Sequence, residues 1–392
     1  MSGLRLTKRG RPLALAVSAG LILVALTAGC AGTAAAPRAV GAPGTTGSAR
    51  LSSQASSATT PRYFLDLVQF SGAVSGGQLQ VRRSATGALV SQAGSPALGV
   101  APLGRSRFVV AEPAASNSCA SRLYRTSISA AGRLRPLSRF GPVVHGQVVS
   151  LAAAADARSV GYFVRPCWKS ASGYLGVLNV RTGRVRRWGD VNVEGSAGDI
   201  SACCSLSLSA DGRLAIFGGA ALGPRGVITG QRVWALATSA RAGTLARRSR
   251  VVLARPESGP QFDSVLLRPD GTSFYLCAVS TYGTPSAHRT VTQAAVVTAR
   301  QTSDGAPIRT LATLTASGAT FESEGFGCPI AASPAGNYLL VAYSLRYARV
   351  TTTGPLVRAA RVDIATKART QISFRLPGSA GMSVASGISI AW

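Results

Sequence analysis

Leu206-Ser207-Leu208-Ser209-Ala210-Asp211-Gly212-Arg213-Leu214-Ala215-Ile216-Phe217 is two short apolar strands on either side of an Asp-Gly step. Asp-Gly between apolar runs is the strongest short-range hairpin signal, because Gly supplies positive φ without a steric cost. The half-motif recurs at Val265–Leu276, turning on Asp270-Gly271, and at Ile330–Val341, turning on Ala335-Gly336. Looser copies run from Leu98 to Val110 and from Val148 to Phe163, the second with Asp156 at its turn. Second hairpins turn near Thr86-Gly87, Ala131-Gly132, Thr182-Gly183, Ala242-Gly243, Asp304-Gly305 and Thr366-Lys367. That leaves one first half missing, and the chain ends supply it. Gly387–Trp392 reads as a first strand and Arg62–Val68 as the strand that should follow it.

A period of roughly 50 to 65 residues with four strands per unit is what a β-propeller needs. The fold expected is therefore all-β: a six-bladed β-propeller with four-stranded blades, its ring closed by the C-terminal strand pairing into the N-terminal blade. A β-sandwich is the structural rival. Ser209-Ala-Asp-Gly212, Arg268-Pro-Asp-Gly271 and Ser333-Pro-Ala-Gly336 resemble the Ser-Pro-Asp-Gly turn of TolB-type and WD40-like propellers, over the whole domain after residue 61. The resemblance implies a fold and carries no activity with it.

Leu26-Thr27-Ala28-Gly29-Cys30 follows a basic start and an apolar run from Leu13, and resembles the lipobox of a bacterial lipoprotein. It implies a leader over 1–29, lipidation of Cys30, and attachment to the outer side of the cell membrane. Residues 30–61, mostly Ala, Gly, Ser, Thr and Pro, read as a flexible tether, and 62–392 as the propeller domain.

Of the seven cysteines, Cys119, Cys167, Cys203, Cys204, Cys277 and Cys328 remain once Cys30 is set aside, an even number that points to disulfides outside the cytoplasm. On the blade alignment Cys277 pairs with Cys328, Cys167 with Cys203 or Cys204, and Cys119 with the other. Losing Arg5, Lys8, Arg9 and Arg11 with the leader lowers the formal charge from +28 to +24. Nearly all of it is Arg, as a GC-rich genome also produces, so the charge does not imply nucleic acid. Anionic lipid and wall polymers are the natural neighbours of an exported chain.

In a propeller of this kind one face carries the loops joining second to third strands and blade to blade. The acids Glu112, Asp190, Glu194, Asp199, Glu257, Asp263, Glu322 and Glu324 fall there, as do His145, His288 and Trp168. Asp190, Glu194, Asp199, Glu322, Glu324, Trp168, His145 and His288 are thus the candidate binding-face residues. The aspartates of the opposite face fall in turns, which hydrogen bonding within the turn explains. Arginines of the third and fourth strands, among them Arg82, Arg186, Arg247, Arg248 and Arg250, predict a basic rim. No catalytic elbow, zinc motif, phosphate loop or EF-hand occurs, so no catalytic residue, metal or cofactor is assigned. The favoured function is a scaffold that binds an envelope protein or wall polymer. A propeller-class hydrolase or lyase and a structural envelope component are the alternatives.

Overall fold

The turn spacing leaves antiparallel meanders as the natural way to pair neighbouring runs, and the computed structural model is built of them. It describes residues 60–70, 76–104, 106–115, 119–168, 170–193, 198, 200–201, 205–223, 227–282, 290–319, 328–345, 356–376 and 385–392, all within the unit Ala55–Trp392. One four-stranded sheet has the order β26 (Ala385–Ala391), β1 (Tyr63–Phe70), β2 (Gly77–Arg83), β3 (Leu89–Ala97). A second runs β4 (Gly99–Pro102), β5 (Arg107–Pro113), β6 (Ala120–Ser127), β7 (Ser138–His145). Two more are β18 (Gln261–Leu267), β19 (Ser273–Tyr282), β20 (Thr290–Gln301), β21 (Pro307–Ala319), and β22 (Ile330–Ala332), β23 (Tyr338–Leu345), β24 (Leu356–Asp363), β25 (Arg369–Arg375).

The rest differs from separate four-stranded sheets. β8 (Gln147–Ala153), β9 (Ser159–Arg165), β10 (Gly173–Asn179) and β11 (Val185–Asn192) form one meander, and β13 (Leu206–Leu208), β14 (Leu214–Leu222), β15 (Ile228–Ala237) and β17 (Arg250–Arg255) another. They are fused into one ten-stranded sheet. The cause is a divided first strand: β12 (Ile200–Ser201) pairs in parallel with Val191–Asn192 of β11 and antiparallel with Ala220–Ala221 of β14. β16 (Gly243–Thr244) adds to the outer edge of β11 and leads into the short helix α1 (Leu245–Arg248). No described helix is long and apolar enough to cross a membrane.

The architecture is an all-β propeller. Its second strands, such as β5, β9 and β14, are buried along almost their whole length because sheets pack on both of their faces. Fourth strands such as β25 alternate between exposed and buried. Apolar clusters lie between consecutive meanders: Phe163, Trp188, Phe217 and Trp234 fill one, between the two meanders of the ten-stranded sheet, and Phe64, Phe374 and Trp392 another. First strands touch one another in the sequence β4 to β8, β8 to β13, β13 to β18, β18 to β22, β22 to β26, and β26 back to β4. The chain ends meet as expected, with Leu65 opposite Ala391 and Val68 opposite Ile388.

The first hairpins use a longer turn than the two-residue loop that Asp-Gly commonly makes. Ser209 N–H donates to Leu214 O and Gly212 N–H to Ser209 O. Only Gly212 takes positive φ (68°), whereas a type I′ turn needs two such residues. Gly271 (73°), Gly336 (72°) and, unexpectedly, Ala157 (60°) occupy the equivalent position. Asp156, Asp211, Asp270 and Asp304 each accept the backbone N–H two residues on.

The rim arginines include a set that staples neighbouring sheets. Arg186 on β11 donates to Thr238 O, Arg250 on β17 to Thr302 O (2.9 Å) and Ser303 O, and Arg309 on β21 to Ile364 O (2.6 Å). Each acceptor lies in the connection between the last two strands of the following meander, and each arginine occupies the same register position. Ser91 on β3 does the same with its hydroxyl, to Gly132 O (2.9 Å). Arg82 is no rim residue. It is 2% exposed and paired with fully buried Asp66 at 3.0 Å. The expected hairpin at Ala242-Gly243 is also corrected: Gly243 pairs with Trp188 of β11, inside a connection that runs from Thr238 to Ser249.

Candidate functional site

The described binding-face residues gather where the first strands begin and the second strands end. His145 closes β7, with Ala120 as its strand partner. The next residue, Gly146, donates its N–H to Cys119 O (3.0 Å), and Gln147 pairs with Arg165, two positions before Cys167. Gly146 therefore draws Cys119 and Cys167 to a Cα separation of 5.5 Å, and they form a disulfide. This corrects the pairing of Cys167 with Cys203 or Cys204, which lie outside the described residues. The bond still crosses a junction between meanders, one junction earlier. Cys277–Cys328 forms as expected, spanning the junction between β19 and the start of β22 at a Cα separation of 6.1 Å.

Trp168 follows Cys167 directly and is 76% exposed, whereas Trp188, Trp234 and Trp392 are buried. Beside it, Arg165 hydrogen-bonds Gln147 across the strand pair, and Tyr174 OH reaches His145 O at 3.5 Å. Asp190 lies in a bulge of β11, where the register shifts opposite the Gly173–Leu175 stretch of β10. Its φ of 66° is the backbone consequence of that bulge. His145, Trp168, Tyr174 and Asp190 thus share one end of adjacent strands. Glu194, Asp199, Glu322, Glu324, His288 and Cys30 lie outside the described residues.

A second group surrounds the other disulfide. β18 bulges between Phe262 and Ser264, so Asp263 leaves the ladder, and its carboxylate accepts the Cys328 N–H. Ser264 Oγ donates to Cys328 O, so the cysteine is held by its backbone on both sides as well as by its sulfur. Burial pushes the half-buried Asp263 carboxyl up to about 6, against the Cys328 N–H, which favours the charged form. Glu112, at the end of β5, is also raised by burial and is restrained by the Ser95 hydroxyl at 2.6 Å. These acids are structurally engaged, with partners that sequence reasoning had not supplied. The solitary Asp263 between Phe262 and Val265 was the visible signal.

Among the described residues no three His, Cys, Asp or Glu side chains cluster as a ligand set. What the end presents is a braced surface: two covalent junctions, one exposed indole, and paired polar side chains on strand ends.

No protein-family model matches this sequence, and no curated protein matches it. Among solved structures the chain is similar to TolB from Acinetobacter baumannii, at 12% identity and a TM-score of 0.43, covering 84% of this chain and 66% of that one. The chain therefore spans just under two thirds of that TolB. It is also similar to the Pseudomonas aeruginosa periplasmic gluconolactonase PpgL, at 14% identity and a TM-score of 0.43, covering 84% of this chain and 99% of that one.

Proposed function

We propose that this chain is an extracytoplasmic lipoprotein: residues 1–29 a cleaved leader, Cys30 the lipidated terminus, 30–61 a tether, and 62–392 a six-bladed closed propeller. Its disulfide-bearing end binds an envelope protein or wall polymer. The observation that carries the binding role is Trp168, exposed on a connection that the Cys119–Cys167 bond holds in place. An exposed indole on a restrained loop offers a large apolar contact whose ordering cost has already been met by folding. The cyclic order of first-strand contacts and the β26–β1 pairing support the closed ring, with the ten-stranded sheet counted as two blades joined through β12. Paired cysteines support an oxidising compartment, and the Leu26–Cys30 motif supports the anchor.

Crosslinking in intact cells, followed by recovery of the tagged protein from the membrane fraction, tests the reading. Trp168→Ala should lose the crosslinked partner with an unchanged melting temperature, since the side chain it removes is exposed. Cys30→Ala should move the protein out of the membrane fraction. Retained partners with Trp168→Ala would remove this end from the binding role, and a mature terminus without lipid would remove the anchor.

A further inference from the structure

The connection between β15 and β17 departs from its counterparts. Asn179–Arg184, Gln301–Ala306 and Asp363–Ala368 are closed by the same pair of backbone hydrogen bonds. Thr238–Ser249 is longer and folds back so that β16 runs parallel to β11, with Trp188 opposite Gly243 and Gly189 opposite Thr244. It is fixed there by fully buried Leu245 and by the bond from Trp188 Nε1 to Arg241 O (3.0 Å).

This insertion carries Arg241, Arg247 and Arg248 to a strand that already presents Arg186 and Arg187 and is preceded by Arg181 and Arg184. Arg186 staples Thr238 O, and Arg187 lies over the Tyr174 ring at 5.1 Å. The other five, Arg181, Arg184, Arg241, Arg247 and Arg248, are exposed. None has a side-chain hydrogen bond or a carboxylate partner among the described residues, where the ion pairs are Arg82–Asp66, Arg213–Asp211 and Arg268–Asp270. Gathering like charges on one edge opposes folding unless something else uses them.

We propose that the edge formed by β11 and the Thr238–Ser249 insertion is a contact surface for anionic phospholipid headgroups. Guanidinium groups suit phosphate oxygens through paired N–H donors. Five of them along a strand edge form an array matched to a charged surface. The choice of lipid over a free polymer rests on the proposed anchor: a tether like residues 30–61 has a root-mean-square span of about 30 Å, which keeps the domain beside the membrane. Each arginine near such a surface strengthens attachment about fivefold at moderate salt.

The unit Ala55–Trp392, which lacks the lipid site, should sediment with vesicles of phosphatidylcholine and phosphatidylglycerol at 7:3 and not with phosphatidylcholine alone, and 0.5 M salt should release it. Replacing Arg184, Arg241, Arg247 and Arg248 with Gln should lower partitioning at least tenfold with an unchanged melting temperature. The same change at Arg133, Arg135, Arg139 and Arg158, four exposed arginines elsewhere, should lower it less than threefold. Equal losses from both sets, or no preference for phosphatidylglycerol, would overturn the proposal. So would displacement from vesicles by soluble poly(glycerol phosphate) at equal phosphate concentration, since that would name a polymer as the ligand. Because Cys30 is absent from the experiment, its lipidation stands or falls separately.

Discussion

Where β26 meets β1 the two chain ends are joined by backbone pairing and buried polar side chains, whereas the junction between β19 and β22 is closed by a covalent bond. At the first, the Arg82 guanidinium donates to Asp66 Oδ1 (3.0 Å), Gly87 O (3.1 Å), Gln80 Oε1 and Arg375 O (3.2 Å), and lies over the Phe374 ring at 4.3 Å. Trp392 Nε1 adds a bond to Ser84 Oγ at 3.1 Å. One side chain therefore ties the first sheet to the last strand of the preceding one. At the second junction, Cys277–Cys328 is reinforced by the Asp263 and Ser264 bonds to Cys328. The polar clasp depends on every partner being present in the dry interior. The disulfide also acts on the unfolded chain, by restricting it.

The difference is sharpest when one partner is removed. Arg82→Ala leaves Asp66 buried without its counter-charge, and breaking such a pair costs about 3–5 kcal/mol. It should lower the melting temperature more than loss of the Cys277–Cys328 bond or any turn substitution does. Arg82→Met with Asp66→Asn should recover most of that loss, because it withdraws both charges. If the single and double variants melt alike, the clasp is packing and not electrostatics. At the covalent junction, Cys277→Ser with Cys328→Ser should cost about 2–4 kcal/mol, with a denaturation midpoint matching that of the reduced parent after correction for Cys119–Cys167. Finding either cysteine as a free thiol in non-reducing peptide maps would separate the two regions less than the structure does.

Both regions contain a carboxyl raised to about 6, Asp66 and Asp263, in each case chiefly by burial. A folded-state value above the ordinary aspartate value of 3.8 means that the folded protein binds protons that the unfolded chain does not between about pH 6 and pH 4. Stability therefore rises as pH falls through that window and is lost as pH rises through 6. The melting temperature at pH 5 should exceed that at pH 7.5 by several degrees, and Asp66→Asn should remove part of the rise. Asp211 and Asp363, lowered mainly by hydrogen bonds from Ser209 Oγ and the Thr366 N–H respectively, work the other way below about pH 4. The Arg82→Ala penalty should also shrink at pH 5, where Asp66 can take a proton.

The hairpins were legible because positive φ at Gly212, Gly271 and Gly336 is a local requirement that sequence records directly. The meeting of the ends was legible for a similar reason: two unmatched half-motifs stood at the termini. Pairings set by register were not. Asp66 lies opposite Gln80, and its contact with Arg82 depends on that register and on the Arg375 carbonyl far along the chain. Cys119 finds Cys167 through Gly146, a residue with no signal of its own. Gly243 announced a turn and marks a close approach of two strands. In the candidate site Trp168 and His145 were found by loop position, while Tyr174 and the bulge at Asp190 needed the β10–β11 pairing.

The smallest effect isolates the turn of the first hairpins, which flanks the β19–β22 junction at Gly271 and Gly336 and which the split pairing of β26 with β1 lacks. Gly336 has nothing within 4 Å of an added Cβ, so Gly336→Ala measures the left-handed backbone penalty alone, about 1 kcal/mol. At Gly212 the added Cβ would stand 2.5 Å from Ser159 Oγ, so Gly212→Ala should cost more. Ala157 already bears this strain, at φ 60° in the same turn position. Ala157→Gly relieves it and gives the unfolded chain more freedom, a loss of about 0.4–1 kcal/mol that offsets part of the gain. The net expectation is stabilisation by about 0.3 kcal/mol, a rise of less than about 1 °C in melting temperature for a domain of this size. A fall on Ala157→Gly would mean that the methyl group contributes more by packing than its backbone costs, and the four turns would then be alike in hydrogen bonding but not in energy.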